Sequence, residues 1–405
     1  MLHQEFTTTC LKRVSFDFEA MAWRGVRWLR SVCATANYKR PLLFALSSNA
    51  HHTRAPVATH GAMSSSMQTT PLQAEKEADA EAETNPELYQ HFANLVSSLP
   101  ASEGLSNNQF YRHDQGWYCS MVPIVGAMVA NACFTARPTD IIIATLPKSG
   151  TTWIKSLLYA TVHRREHPVD AADHPFNSTG PHECIKFFEY QLYTRKKVPG
   201  LGKLPDPRLF ATHLPFVSLP STIPASGCKI VYVCRDPKDH LISQCDFVNK
   251  FRAMNQLEPV SVEAAAELFC SGLSPFGPYW DHVLGYWRAH LVWPQKVLFF
   301  KYEEMQRDPA EHVRRLAEFV GQPFGAEEEE DGVVDAIVRL CSFENMSGLE
   351  VTKKGETDFV IGTVENSSFF RRGVVGDWKN HLSPETARRI DAITAAKFKG
   401  SGLSI

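Results

Sequence analysis

Residues 140–158 constrain the fold of this 405-residue chain more than any other stretch. They read DIIIATLPKSGTTWIKSLL: a run of β-branched residues, a short turn at 147–150, and an amphipathic segment that begins at Thr151. A strand, a short loop and a helix in this order are typical of a phosphate-binding loop. The sequence therefore predicts a strand that ends at an anion site and leads directly into a helix.

The residue types in this loop suit an anion that carries a base. Gly150 lets main-chain N–H groups approach an anion because it has no Cβ. Thr151 and Thr152 place hydroxyl groups beside the unpaired N–H groups at the positive end of the helix. Lys148 adds a full positive charge, and Trp153 offers an indole that can stack on a base. Together these residues predict a nucleotide pocket.

The order of residues differs from that of the nucleoside-triphosphate P-loop. That loop has the pattern G-x-x-x-x-G-K-[ST], with the lysine after the last glycine. Here Lys148 precedes Gly150, and positions 146–149 contain no glycine. A loop this short can surround one 5′ phosphate but offers little backbone for a β,γ-phosphate and its magnesium ion. A kinase that phosphorylates a small molecule stays open as an alternative, whereas a purely structural strand–helix corner would need neither Lys148 nor Trp153.

Two further stretches carry arginines in positions suited to a second phosphate. Residues 229–247 read as a buried parallel strand, a turn at Arg235, and a helix that carries Ser243. Arg235 can grip a phosphate with two N–H groups, and Ser243 can add a hydroxyl group. Residues 369–379 place Arg371 and Arg372 in one loop, and the glycine that follows them makes its backbone flexible. A structural ion pair of Arg235 with a neighbouring aspartate is the alternative for the first stretch.

His213 is the candidate general base. It follows a short apolar run, 209–212, at a predicted strand end, from which side chains enter the crevice above a parallel sheet. A neutral imidazole there can take a proton from an attacking hydroxyl group. Because the chain contains 16 histidines, being a histidine is weak evidence by itself. The prediction rests on the position of His213 at the end of a strand.

Composition excludes several other classes of function. A net charge of −2 argues against nucleic acid as a partner, since such proteins carry a basic excess. The ten cysteines lack paired C-x-x-C spacing, so we expect reduced thiols rather than disulfides or a zinc site. No apolar run reaches the ~18 residues that a membrane span needs.

The first 70 or so residues differ from the rest, because their charges are mostly basic and Ser, Thr, Ala and His fill the gaps. This composition fits an organellar transit peptide. It also fits an extension upstream of a start at Met63 or Met67. We expect residues 1–84 to form a disordered or transit-like extension and residues 85–405 to form the functional domain.

The string PKSGTTW resembles the 5′-phosphosulfate loop of the plant-type cytosolic sulfotransferases, which use 3′-phosphoadenosine 5′-phosphosulfate (PAPS). The strings at 212–215, 229–247 and 369–379 resemble the same family, and the resemblance covers roughly residues 85–403. It implies a single α/β domain with a central parallel sheet flanked by helices and a P-loop-like 5′-phosphosulfate loop. It also implies a PAPS-dependent enzyme that needs no metal.

The resemblance also implies roles for individual residues. His213 would be the general base, Lys148 would neutralise the charge on the bridging oxygen, and Ser243 would hold Lys148 away until the acceptor binds. Phe343 would sandwich the adenine opposite Trp153. The implied PAPS-binding set is Lys148, Ser149, Gly150, Thr151, Thr152, Trp153, Arg235, Ser243, Tyr302, Phe343, Arg371, Arg372 and Gly373.

The expected acceptor is a small, largely apolar molecule with a hydroxyl group: a phenolic or flavonoid, a steroid, or a hydroxyjasmonate-like compound. By resemblance, Trp117 and Tyr118 would line its pocket, with simple packing in the core as the alternative for this segment. The family's short dimer motif is altered, with Arg388 where a glutamate is expected, so we expect a monomer or a weak homodimer. We expect a cytoplasmic protein without a membrane or nucleic-acid partner, or a chloroplast protein if the extension is a transit peptide. A non-catalytic protein that binds 3′-phosphoadenosine 5′-phosphate (PAP) is a second alternative.

Overall fold

The computed structural model describes residues 81–105, 109–114 and 116–405. Of the predicted extension, residues 1–84, the structure describes only residues 81–84. These contain a short strand, Glu83–Thr84, which pairs antiparallel with Lys197–Val198. None of the helices in the described ranges is long and apolar enough to cross a membrane.

The elements alternate along the chain as in an α/β protein. The strands are β1 Glu83–Thr84, β2 Ala101–Glu103, β3 Gln109–His113, β4 Gly116–Tyr118, β5 Ile141–Thr145, β6 Lys197–Val198, β7 Leu209–Thr212, β8 Lys229–Cys234, β9 Val297–Lys301, β10 Glu356–Phe359 and β11 Gly362–Glu365. The helices are α1 Pro86–Ser97, α2 Met121–Cys133, α3 Thr151–Val162, α4 Pro181–Cys184, α5 Thr222–Ala225, α6 Pro237–Met254, α7 Val262–Cys270, α8 Tyr279–Val292, α9 Tyr302–Arg307, α10 Pro309–Phe319, α11 Ala326–Glu330, α12 Val333–Leu340, α13 Phe343–Gly348, α14 Glu350–Lys354 and α15 Pro384–Phe398.

The central sheet has four parallel strands in the order β7-β5-β8-β9. Its register places Ile142 opposite Phe210 on one side and Ile230 on the other. Every residue of β5 and β7 is buried, as expected of parallel strands whose two faces are both covered by helices. The predicted α/β fold with a flanked parallel sheet is thus confirmed.

The carboxyl ends of the four strands share one edge of the sheet, and each strand leads into a predicted site segment. The loop with Lys148 follows β5, His213 follows β7, Arg235 follows β8, and Tyr302 follows β9. Parallel pairing alone brings these four segments together, because strands with the same direction end at the same edge.

A buried ion pair fixes the opposite edge of the sheet. Arg208 donates from Nε and Nη2 to the two carboxylate oxygens of Asp140, at 2.7 and 2.6 Å. The main-chain N–H of Ile141 donates to the Arg208 carbonyl, so the pair lies where β5 and β7 begin. Both side chains are almost fully buried. A charge left alone here would be strongly destabilising.

We therefore predict that Arg208→Leu lowers the free energy of unfolding by about 3–5 kcal/mol, because it leaves the Asp140 carboxylate buried without its counter-ion. Urea unfolding followed by circular dichroism measures the change. Arg314→Leu is the control, since Arg314 pairs with Glu329 at the surface and such pairs contribute about 0–1 kcal/mol. Equal losses in the two variants would contradict the structural role of the buried pair.

Candidate active site

A cavity of about 400 Å³ opens at the carboxyl edge of the sheet. Its charged lining residues are all cationic: Lys148, Arg235, Arg371 and Arg372. No aspartate or glutamate of the described chain is among the residues that line it. Most of the remaining wall is apolar and rich in aromatic rings. The cavity therefore combines an end suited to anions with an end suited to an apolar molecule.

Nearly all predicted site residues meet in this cavity. Those that line it are Lys148, Gly150, Thr151, Thr152, Trp153, His213, Arg235, Ser243, Tyr302, Phe343, Arg371, Arg372 and Gly373. Ser149 is the exception: it is fully buried, and its hydroxyl oxygen lies 3.3 Å from Nδ1 of His240. The Ser149 side chain thus supports the loop from behind, while its main chain stays part of the loop.

The phosphate loop has an unusual backbone. Gly150 has φ of +93°, and Lys148 has φ of +67° although it carries a side chain. A Cβ at Gly150 would come within 2.7 Å of the Tyr302 ring, so both conformation and space require glycine there. The Thr151 hydroxyl lies 2.7 Å from that of Thr145, which ties the start of α3 to the end of β5.

The Lys148 ammonium group lies over aromatic rings instead of beside a carboxylate. Its Nζ is 4.4 Å from the centre of the Phe247 ring and 6.0 Å from that of Phe369. Burial, with smaller contributions from the cationic Lys250 and Arg235, lowers the pKa of Lys148 to about 7. No hydrogen bond joins Lys148 to the Ser243 hydroxyl in the described structure. An anion bound near this buried ammonium group would stabilise its protonated, charged form.

Arg235 connects the phosphate loop with the loop that follows β11. Its guanidinium donates to the carbonyls of Lys148, at 3.2 Å, and Val374, at 3.3 Å. Its Nε is buried and has no hydrogen-bond partner among the described residues. A buried donor without a partner is costly, so this atom marks a place for an acceptor atom of a ligand.

The neighbouring aspartates do not pair with Arg235. Asp236 caps α6 by accepting from the main-chain N–H groups of Lys238 and Asp239. Asp239 accepts from the main-chain N–H groups of Gly376, at 2.6 Å, and Trp378, at 3.0 Å. The sequence offers the neighbouring aspartates, Asp236 and Asp239, only as possible ion-pair partners of Arg235. An acidic residue in the first turn of a helix is often a hydrogen-bond acceptor, and this was the signal available for Asp239. Only the fold, however, brings residues 376–378 to it.

Arg371 and Arg372 share one carboxylate, that of Asp377. Burial opposes ionisation of Asp377, but its hydrogen bonds to Asn380 and Arg371 and the charges of both arginines hold its pKa well below its usual range. Gly373 has φ of +67°, and a Cβ there would come within 2.5 Å of the Phe343 ring. The loop thus holds two fixed positive charges beside an aromatic ring.

Three aromatic side chains stand around the cationic end. Trp153 packs edge-to-face on Tyr302 with ring centres 5.5 Å apart, and Arg235 lies 4.7 Å from the centre of the Tyr302 ring. Phe343 lies against Phe370 and keeps 36% of its surface exposed, an unusual value for a phenylalanine. Trp153 and Phe343 therefore line one cavity with ring surface available to a flat ligand.

His213 is held in one tautomer. Its Nδ1 lies 2.8 Å from the Thr145 carbonyl oxygen, so Nδ1 carries the proton and donates it. Its Nε2 has no partner in the described part of the chain and is the nitrogen free to accept a proton. Burial lowers the pKa of His213 to about 3, and the charges of Lys155 and His282 contribute. The imidazole is therefore neutral across the physiological pH range.

Glu189 is a buried residue beside His213 that no sequence motif indicated. It lies in a π-helical turn, Phe188–Leu192, and is fully buried. Its carboxylate accepts from the main-chain N–H of His213 at 2.6 Å and from the Thr212 hydroxyl at 3.0 Å. Burial raises the pKa of Glu189 to about 7. No motif in the sequence places this carboxylate beneath the histidine, because the contact joins segments that only the fold brings together.

The apolar end of the cavity is built from aromatic rings around His213. The Phe187 ring lies 4.6 Å from the imidazole, centre to centre. The aromatic residues that line this end are Phe110, Phe187, Tyr190, Phe247, Phe251, Phe359 and Phe369. Of the segment around Trp117 and Tyr118, the residues on the cavity wall are Cys119 and Ser120, whereas Tyr118 packs in the core against Phe276.

Comparisons with known proteins agree with this site. The pattern of the family described as "Sulfotransferase domain" matches residues 138–402. Cytosolic sulfotransferase 15 of Arabidopsis thaliana is 42% identical over 325 residues, which cover 80% of this chain and 89% of that protein. Cytosolic sulfotransferase 8 of the same plant is 44% identical over 313 residues, 77% of this chain and 92% of that protein.

Solved structures show the same relationship. A sulphotransferase structure from Arabidopsis thaliana superposes with a TM-score of 0.60 at 34% identity and covers 79% of this chain and 97% of its own. The mouse sulfotransferase SULT7A1, solved in complex with PAP, gives a TM-score of 0.56 at 27% identity, with 72% and 95% covered. The chain therefore belongs to the sulfotransferase family, and it is a PAPS-dependent enzyme of the plant cytosolic type.

Proposed function

We propose that this sulfotransferase transfers the sulfuryl group of PAPS to a hydroxyl group of a small, largely apolar acceptor. One observation carries the proposal: a single cavity holds four cationic side chains, no carboxylate in its described lining, and a histidine with a free Nε2. The cations suit a ligand with several negative charges. The aromatic wall suits an apolar acceptor beside His213.

The cationic end would hold the nucleotide. Lys148, the main chain of 149–150 and the hydroxyl groups of 151–152 would bind the 5′-phosphosulfate at the start of α3. Arg235, Ser243 and the 371–373 loop would bind the 3′ phosphate, for which the unpartnered Nε of Arg235 is a donor. Trp153, Tyr302 and Phe343 would enclose the adenine. The PAP complex of the mouse relative supports a nucleotide of this class.

The residues at the junction of the two ends would carry the transfer. His213 would accept the acceptor's hydroxyl proton at Nε2 while its Nδ1 stays bonded to the Thr145 carbonyl. The hydroxyl oxygen then forms the new S–O bond as the bond between sulfur and the 5′-phosphate oxygen breaks. Lys148 would neutralise the charge that develops on that phosphate oxygen, and Ser243 would hold Lys148 away until the acceptor binds. Lysine and arginine would supply the positive charge, without a metal.

The two alternatives are less well supported. A kinase that uses magnesium needs carboxylate or similar oxygen ligands near the phosphates, and the described lining has no carboxylate. A PAP-binding protein without catalysis would not need a histidine held in one tautomer at the far end of the cavity. The non-catalytic alternative also leaves the ring-lined end of the cavity without a use.

The finer parts of the proposal concern the acceptor and the cellular setting. A phenolic or flavonoid, a steroid and a hydroxyjasmonate-like compound are the acceptor classes that suit the ring-lined end. We propose that residues 85–405 form the sulfotransferase domain and that the protein is a monomer or weak homodimer without a nucleic-acid or membrane partner. The names of its plant relatives support the cytoplasm, with the chloroplast as the alternative if the N-terminal extension is a transit peptide.

Binding of PAP and 5′-AMP tests the nucleotide site. We expect PAP to bind at least ~100-fold more tightly, because its 3′ phosphate gains two or more charge-assisted hydrogen bonds. Arg372→Gln should reduce this preference about tenfold, since it removes one of them. Isothermal titration calorimetry gives the dissociation constants of PAP and 5′-AMP. Arg388→Gln is the control, because Arg388 is exposed on α15. Equal binding of PAP and 5′-AMP would return the kinase alternative to first place.

The pH dependence of PAP binding tests Lys148. The pKa of Lys148 is about 7 in the free protein, and a bound anion raises it, so binding takes up a proton above that pH. Between about pH 7.5 and about pH 9 the ligand's phosphates stay ionised, and the affinity should fall by up to about tenfold per pH unit. Calorimetry in buffers of different ionisation enthalpy counts the proton. In Lys148→Arg the charge is permanent, so the uptake should disappear; its persistence would exclude Lys148 as the source.

Removal of the imidazole tests the general base. His213→Ala should lower the rate of sulfuryl transfer at least ~100-fold, the usual contribution of a positioned base. The affinity for PAP should stay unchanged, because His213 lies at the other end of the cavity. A phenolic test acceptor with PAPS supplies the rate, and His91→Ala, on the surface of α1, is the control. Near-normal turnover of His213→Ala would show that the assigned role is wrong.

A further inference from the structure

Gln244 is a polar residue on the apolar wall of the cavity. It lies on α6 at 6% exposure, and Gln244, Phe247, Val248 and Phe251 all line the cavity. Their spacing of i, i+3, i+4 and i+7 places them on one face of the helix. We call these four residues the α6 stripe. Its other three members are apolar, so Gln244 is the member that carries an amide.

The amide of Gln244 lacks a protein partner in the described residues. Its Oε1 is buried without a hydrogen bond, although a buried amide normally finds a partner. The Ser120 hydroxyl, on the same cavity wall, is likewise buried without a partner among those residues. Polar groups left unpaired inside a protein cost free energy unless a ligand or water satisfies them. Two such groups in one cavity indicate a ligand with polar groups of its own.

The position of Gln244 places it near the reacting end of the cavity. Residues three apart on a helix face each other, so Gln244 is a neighbour of Phe247. The Phe247 ring holds the Lys148 ammonium 4.4 Å from its centre. One turn before Gln244, His240 lies behind the phosphate loop, beside the Ser149 hydroxyl. A hydrogen bond to Gln244 would thus be made close to the hydroxyl group that reacts.

We infer that Gln244 is a specificity-determining residue that hydrogen-bonds a second hydroxyl group of the acceptor, close to the hydroxyl group that is sulfated. This inference rests on the proposed function, since it concerns the acceptor end of the same cavity. The flat aromatic walls hold the acceptor's ring and contribute affinity without selecting among hydroxylation patterns. Gln244 supplies that selection, because an acceptor without the second hydroxyl group leaves the buried amide unpaired.

A matched pair of small aromatic acceptors tests the inference. 2,3-Dihydroxynaphthalene and 2-naphthol differ by one hydroxyl group next to a shared one. For the unaltered protein we expect kcat/KM with PAPS to favour the diol about tenfold, the effect of one buried hydrogen bond. In Gln244→Met, which keeps the length of the side chain without its amide, this preference should fall to about unity. Sulfation rates for the two acceptors give the ratio directly.

Controls separate selectivity from damage to the site. Phe251→Leu trims an apolar member of the same stripe and should lower both rates while leaving the ratio unchanged. Titration with PAP precedes the rate measurements, so a protein that fails to bind PAP overturns the proposed function itself. If PAP binds normally and Gln244→Met keeps the preference of the unaltered protein, the role of Gln244 is overturned. The role of Gln244 is also overturned if the unaltered protein binds PAP but shows no preference for the diol, or if it sulfates neither of the two acceptors.

Discussion

The parallel pairing of β5 with β7 and β8 is the constraint on which the rest of the structure depends. It fixes the direction in which each strand ends, and therefore gathers the phosphate loop, His213 and Arg235 at one edge. The Asp140–Arg208 pair lies at the other edge and ties together the starts of β5 and β7. A change of register would move His213 away from the Thr145 carbonyl that holds its tautomer. The orientation of the His213 ring is thus a consequence of the sheet.

Charge is the second organising feature of the site. The fold brings cationic side chains together in a cavity and places carboxylates outside its lining, where they hold main-chain N–H groups or the arginine side chains themselves. Asp239 holds residues 376 and 378, Asp377 holds the two loop arginines, and Glu189 holds the main chain at His213. Lys148 and Arg235 nevertheless have no carboxylate partner among the described residues: burial lowers the pKa of Lys148, and the Nε of Arg235 has no hydrogen-bond partner there. Binding of a polyanion relieves this.

The two ends of the cavity divide the work of recognition. The nucleotide end is built from main chain, fixed charges and glycines whose positive φ values admit no ordinary substitute. The acceptor end is built mainly from rings, and the polar atoms Oε1 of Gln244 and Oγ of Ser120 have no partner there among the described residues. This division explains why the family and the nucleotide could be predicted from short motifs, whereas the acceptor depends on the shape of a wall.

The amino-acid sequence by itself determined the strand–loop–helix at 140–158, the nucleotide motifs and the family, because each is encoded in consecutive residues whose chemistry is local. It also predicted that His213, at a strand end, lies at the cavity, and His213 does line it. Only the tertiary structure decided that Glu189 lies beneath His213, that Asp239 anchors a loop 137 residues away, and that Tyr118 faces the core while Cys119 faces the cavity. These contacts join residues distant in the chain or depend on which side of a short strand or turn faces inward. No local pattern encodes them, since they arise only when separate elements pack together.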